Sequence, residues 1–226
     1  MIKALIFDFD GLILDTETTL YECWRETYET HGCVLTKEEW AANIGGSSYA
    51  AFNPFDILAE RYGREMDWEP IHSARRERYN TRVWDQPCLP GVEALLQAAK
   101  NHGLQLAVAS SSNEDWVHGH LNRLGLRHYF DTTACGNEVP AIKPEPYVYQ
   151  LALDRLGLQP EQAIALEDSA KGLAAAKAAG LCCVVITNPV TCLLELAEAD
   201  QRLGTLEGCN LAALLTVPSS RRRSLA

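Results

Sequence analysis

Short apolar runs alternate with longer segments of helical periodicity along most of this chain. The first run (Ile2, Ala4, Leu5, Ile6 and Phe7) has strand length and breaks into Asp8-Phe9-Asp10-Gly11. A strand buried in a parallel sheet reads as such an unbroken run, and open α/β sheets place ligands at its carboxyl end. Gly11 supplies the backbone freedom for both carboxylates to reach that crevice, although a solvated turn can carry the same residues. From residue 17 to 86 the rhythm is helical, with no convincing strand. Leu20, Trp24 and Tyr28 recur at helical spacing ahead of a stop at Gly32. Thr36-Lys37-Glu38-Glu39 has capping-box order and starts a second helix. A third is expected over 54–62, with Phe55, Leu58 and Tyr62 on one side. A fourth is expected over 70–84, carrying Arg75, Arg76, Arg78 and Arg82.

Pro87 and Pro90-Gly91 mark a return to mixed rhythm. Helices are expected at 92–102, 114–124, 146–156 and 170–179, and strands at 104–109, 130–134, 163–166 and 182–186, with a last helix at 206–215. Strands alternating with helices of this length imply a parallel sheet covered on both faces. The expected fold is α/β: a Rossmann-like core over residues 1–16 and 87–218, with a helical cap, 17–86, inserted after the first strand. Residues 219–226, with Arg221-Arg222-Arg223, read as a disordered tail.

A length of 226 residues suits one core plus an insertion, and 47% apolar residues fit a globular protein. The net charge of −10 argues against a nucleic-acid partner but leaves room for an anionic substrate beside a bound cation. The eight cysteines contain no CxxC pair, and Cys182-Cys183 lies inside an apolar run, so reduced, mostly buried thiols are expected. No apolar run approaches the ~20 residues of a membrane span, and Asp8 interrupts the only N-terminal candidate for a signal peptide. A cytoplasmic protein with no membrane partner is expected.

In a parallel sheet all strand ends lie on one edge, and four exits carry chemistry. The first ends in Asp8 and Asp10. The second ends in Ser110-Ser111-Ser112-Asn113, a natural phosphate cradle in which Ser112 or Asn113 is also a helix cap and Ser110 is left free. A later loop holds Lys143, which alone would read as a solvated lysine. The strand at 163–166 ends in Glu167-Asp168-Ser169, where Asp168 or Ser169 can cap the next helix. Asp8, Asp10 and Asp168 brought to one edge repel, each pair by about 4 kcal/mol at ~4 Å and an effective dielectric of ~20. A cation is expected there, and oxygen-only ligands favour Mg²⁺ over zinc.

In this order and spacing, Asp8-Phe9-Asp10-Gly11, Ser110, Lys143 and Glu167-Asp168 resemble the four motifs of the haloacid dehalogenase-like superfamily. The helical insertion resembles its subfamily I cap, closest to the β-phosphoglucomutase-like and sugar-phosphate phosphatase branch. The resemblance implies that Asp8 is a nucleophile forming an aspartyl-phosphate and Asp10 the general acid/base. Ser110 and Lys143, with Ser111 and Gly46, would hold the phosphoryl group and the substrate. Mg²⁺ would bind Asp8, the Asp10 carbonyl and Asp168, with Glu167 as a further ligand or support. The substrate would be a small phosphorylated metabolite, and the protein a monomer.

Asp10 separates this chain from dehalogenases and phosphonatases, which lack the second carboxylate. β-Phosphoglucomutases typically carry a cap histidine and a cap-loop arginine where this chain has Leu20 and Tyr49, which favours hydrolysis over isomerisation. Ile142 stands where a glycine often precedes the lysine, which affects local loop shape. Within the cap, the four arginines read as a solvated helix face, and Trp24, Tyr49, Phe52 and Phe55 as cap core. Gly45-Gly46 is the better specificity candidate. A non-catalytic phosphate binder on the same fold is the remaining alternative.

Overall fold

The computed structural model describes residues 1–45 and 53–217. Gly46, Tyr49 and Phe52 therefore lie outside the described residues, as does the expected tail. After the first strand, β1 (Ala4–Phe7), come four helices: α1 (Thr16–Thr30), α2 (Lys37–Gly45), α3 (Pro54–Tyr62) and α4 (Trp68–Asp85). Asp15 caps α1 by accepting from the Thr18 amide at 3.0 Å. The expected capping box closes at α2, where Thr36 N–H donates to Glu39 and Glu39 N–H to the Thr36 hydroxyl. Trp24 is buried among Tyr28, Trp40 and Phe55, the last edge-on at 4.6 Å. Trp24 and Phe55 are packing residues here, as the sequence suggests. Between α1 and α4, Glu26 takes both Arg82 and Arg78.

The chain then alternates. Helix α5 (Val92–Asn101) leads to β2 (Gln105–Ala109), and α6 (Glu114–Arg123) to β3 (Thr132–Ala134). Helix α7 (Tyr147–Leu156) precedes β4 (Ala163–Glu167), and α8 (Ala170–Ala178) precedes β5 (Cys182–Ile186). With a short β6 (Gln201–Leu203), the six strands among the described residues are all parallel and lie in the order β3-β2-β1-β4-β5-β6.

The sixth strand, β6 (Gln201–Leu203), has no counterpart in the sequence reading. It carries no apolar run and is held by backbone bonds to the edge of β5, with Asp200 N–H on Cys183 O and Thr187 N–H on Leu203 O. The expected helix over 206–215 is corrected to the single turn α9 (Leu211–Leu214), because the segment before it turns at Gly208.

Strand β1 is central because it is apolar on both faces. Leu5 and Phe7 point with Leu106, Val108, Ile164 and Leu166 towards α5 and α6. Ala4 and Ile6 point with Ala107, Ala163 and Ala165 towards α7 and α8, a face of mostly small side chains that brings those helices close. Phe7 pairs with Val108 on one side and Leu166 on the other, so the exits of β1, β2 and β4 emerge side by side. The strand order reverses at β1, and such a switch point opens a crevice at the carboxyl ends of the strands. Of the eight cysteines, Cys23, Cys135, Cys182 and Cys183 are buried.

Candidate active site

Asp8 follows β1 directly, its amide donating to Leu166 O at 2.9 Å. Lys143 reaches in from the loop before α7, and its ammonium donates to Asp8 Oδ1 at 2.7 Å and Glu167 Oε1 at 2.6 Å. Glu167, the last residue of β4, is completely buried. It also takes the Tyr149 hydroxyl at 2.5 Å, the Ser169 hydroxyl at 3.3 Å and the Asp168 amide at 3.2 Å. Asp168 is held by Asn188 Nδ2 at 2.7 Å, and the Asn188 amide group also approaches Gly11 O at 3.5 Å. Ser169 caps α8, which leaves Asp168 for the site.

Two glycines make room. Gly11 has φ +80°, and a Cβ there would lie 2.0 Å from Asp168 Oδ2. A Cβ on Gly172 would lie 1.9 Å from the Glu167 carboxylate.

Burial raises the Asp8 carboxyl to about 8, with Glu167 adding to the rise and Lys143 opposing it. Burial, then Asp8, Glu167 and Glu17, holds Asp168 well above the usual carboxylate range. Burial alone would lower the Lys143 ammonium; Asp8 and Glu167 reverse that and hold it above its ordinary value. Three buried carboxylates, Asp8, Glu167 and Asp168, each present an oxygen within 4.8 Å of the others, against one ammonium. Such a group is short of positive charge, and its all-oxygen donor set fits a hard divalent cation.

Asp10 lines the same cavity as Asp8 and Asp168, at the edge where the sequence expects it, but stands outside this close triad. Its oxygens are taken by Ser112 Oγ at 2.7 Å, Trp116 Nε1 at 3.0 Å and, at 3.4 Å, Ser110 Oγ. The serine assignment shifts accordingly. Asn113 alone caps α6, Ser112 faces Asp10, and Ser110 is fully buried with its hydroxyl accepting the Ser112 amide. Ser111 lines the cleft. A cavity of about 220 Å³ opens over Asp8, Asp10, Lys143 and Asp168, with Glu17 and Lys171 on its wall. A second, more open space of about 540 Å³ shares Asp10, Glu17 and Ser111 with it and runs beneath α4.

Comparison with known proteins gives the same placement. Residues 5–186 match the family described as haloacid dehalogenase-like hydrolase. The chain belongs to that family. Among its relatives, YhcW of Bacillus subtilis (strain 168) is 46% identical over 95% of this chain and 97% of its own. The fructose-1-phosphate phosphatase YqaB of Escherichia coli (strain K12) is 34% identical over 79% of this chain and 93% of its own. Among solved structures, CbbY of Rhodobacter sphaeroides in complex with phosphate superposes with a TM-score of 0.68 at 33% identity, covering 95% of this chain and 99% of that one.

In this haloacid dehalogenase-like hydrolase, the structure brings together Asp8, Lys143, Glu167 and Asp168, and sets Asp10 with Ser110 beside them. Sequence reasoning missed Tyr149, Asn188 and Trp116, and named Ser112 in the cradle without its bond to Asp10. Asn188 had a usable signal, since it lies just past the fifth strand exit. Tyr149 and Trp116 reach the site from helix faces and carried none. Arg75 is a correction: it is not part of a solvated face but 8% exposed, with its guanidinium 4.4 Å from the Trp24 ring centroid. Burial of α4 against α1 takes it out of water. Among the described residues no helix is long and apolar enough to cross a membrane.

Proposed function

We propose that the protein is a Mg²⁺-dependent phosphatase that hydrolyses small phosphomonoesters, sugar phosphates in particular, through an aspartyl-phosphate on Asp8. The observation that carries this is the ammonium of Lys143 bridging Asp8 and Glu167 within a buried triad of carboxylates, with Asp10 held beside it. With Oδ1 tied to Lys143, Asp8 presents its other oxygen to phosphorus, and Lys143 stays to offset charge on the phosphoryl oxygens. Asp10 gives a proton to the leaving alkoxide, then takes one from the water that attacks the acyl phosphate. Ser112 and Trp116 fix the direction in which Asp10 points.

Asp8, Asp168 and the Asp10 carbonyl would hold the ion, with Glu167 as ligand or support. When bound, it supplies positive charge to the nucleophile and the transferring group. Ser111 on the cavity wall meets the phosphoryl oxygens, and Ser110 supports that loop from beneath. Residues 17–86 act as a cap over the cleft, with the Gly46 segment as a specificity element. Leu20 lines the second space, where a β-phosphoglucomutase-like isomerase would carry a histidine, and this supports hydrolysis. The substrate is a small phosphorylated metabolite, and the protein works as a cytoplasmic monomer.

Phosphate release is measured across a panel of sugar phosphates, with Mg²⁺ and with EDTA. Magnesium-dependent release that disappears in Asp8→Asn is expected. Release that persists in Asp8→Asn rules the mechanism out, and bisphosphate-stimulated isomerisation without release replaces it with the mutase.

A further inference from the structure

Tyr149 lies in the first turn of α7, shortly after Lys143, and is completely buried. It belongs to the core on the sheet face of small side chains, with Ala107, Ala109 and Ala165. A phenylalanine would meet that packing equally well, so the hydroxyl has a separate task. A buried phenol needs a hydrogen-bond partner, and this one donates to Glu167 Oε1 at 2.5 Å.

Lys143 donates to the same oxygen at 2.6 Å, so Oε1 is divided between two donors. The other oxygen, Oε2, takes the Asp168 amide at 3.2 Å and the Ser169 hydroxyl at 3.3 Å. Behind the carboxylate, Gly172 has no space even for a Cβ. Glu167 is therefore fixed on every side. The Tyr149 ring also contacts Lys143, whose Nζ is 5.1 Å from the ring centroid, within reach of a cation–π interaction. One side chain thus holds the ammonium twice, directly through its ring and indirectly through the carboxylate.

An ammonium has three N–H groups, and Asp8 and Glu167 take two of them at 2.7 and 2.6 Å. The cation is shared almost evenly. A carboxylate oxygen that serves a second donor attracts it less strongly, because each hydrogen bond draws off negative charge. Loss of the phenol hydroxyl therefore draws Lys143 towards Glu167 and away from Asp8.

We propose that Tyr149 is a positioning residue for phosphoryl transfer, acting through Glu167 and Lys143. Its hydroxyl moderates the pull of Glu167 and its ring supports the ammonium. Lys143 then stays on Asp8 with a third N–H left for the transferring group. The role in transfer rests on the phosphatase reading; the hold on the ion pair does not.

Tyr149→Phe tests this, since it keeps the ring and its packing and removes only the hydroxyl. kcat and KM for a sugar phosphate are measured at saturating Mg²⁺. The Lys143 Nζ resonance is followed by ¹⁵N-lysine NMR in EDTA, and assigned by its absence from Lys143→Arg protein. kcat should fall about tenfold, as for one lost hydrogen bond to a charged group, with KM changed less than about twofold. The Lys143 resonance should move, while that of Lys177, paired with Asp200, stays in place. Tyr129→Phe is the control for losing a buried phenol. Tyr129 bonds Gln97 at 3.1 Å and precedes β3, at the sheet edge opposite the strand exits. Its removal should leave kcat and the Lys143 resonance unchanged.

An unchanged kcat in Tyr149→Phe overturns the inference. So does a fall in kcat with the Lys143 resonance unmoved, or a loss confined to KM. Absence of hydrolysis by the wild-type protein, with the resonance still displaced in Tyr149→Phe, overturns the phosphatase reading and supports the hold of Tyr149 on the ion pair.

Discussion

Replacing Lys143 with methionine separates the electrostatic role of this residue from its packing role. Methionine keeps the apolar stem, one atom shorter, but removes the cation between Asp8 and Glu167. At 2.7 and 2.6 Å, each of these pairs, with its carboxylate ionised, attracts by about 6 kcal/mol at an effective dielectric of ~20. Much of that is offset by the cost of burying the ammonium, whose side chain is only 5% exposed. Breaking a buried pair by removing one partner nets about 3–5 kcal/mol of destabilisation. A loss on that scale is a large fraction of the ~5–15 kcal/mol that holds a typical domain together. The expected result in EDTA is an unfolding free energy, from urea titration, lowered by that amount, or a protein already partly unfolded. Excess Mg²⁺ should recover part of the loss, because a bound cation supplies the missing positive charge. Activity should stay at least about a hundredfold down with Mg²⁺ present, as for the loss of one preorganised charge-stabilising group. A destabilisation below about 1 kcal/mol in EDTA would falsify the account of Lys143 as the counter-ion of this cluster. Equal losses with and without Mg²⁺ would remove the carboxylate triad as a cation site.

Three further outcomes follow from the same geometry. Gly11→Ala forces a side chain into left-handed backbone, at about 1–2 kcal/mol, and drives Asp168 from its place; a calorimetric Mg²⁺ titration should show affinity down tenfold or more, and unchanged affinity would remove Asp168 as a ligand. In EDTA, stability should fall as pH rises from about 4 to about 8. The Asp8 carboxyl ionises at an ordinary value when unfolded but keeps its proton to about 8 when folded, so unfolding releases protons across that window. Thermal melts that are flat across it, or a slope that saturating Mg²⁺ does not reduce, count against the cluster. Trp116→Phe keeps the ring stacked on Tyr79 and removes the indole N–H from Asp10; kcat should fall about tenfold with the melting temperature little changed, and an unchanged kcat would show that Ser112 orients Asp10 unaided.

Local pattern carried the alternation of strands and helices, the helical insertion and the four strand exits. The run ALIF could be read because a strand buried on both faces has to be apolar at every position. Asp8, Lys143, Glu167 and Asp168 could be picked out because a parallel sheet sends all its strand ends to one edge, whatever the packing in detail. Strand β6 could not, because an edge strand is held by backbone bonds and its side chains, Gln201, Arg202 and Leu203, are not required to be apolar.

The tertiary structure decided which neighbour takes which donor. Ser112 rather than Ser110 holds Asp10 most closely, and Glu167 rather than Asp10 completes the acidic cluster. Those choices depend on rotamers and on distances of a few tenths of an ångström between segments about a hundred residues apart. Arg75 is the plainest case. In sequence it is one of four arginines on a helix, alike in composition and spacing. Only the docking of α4 on α1 pairs two of them with Glu26, and buries Arg75 over Trp24 with its Nε unpaired. Burial is a property of the assembled surfaces, and no one-dimensional pattern specifies which side of a charged helix will lose its water.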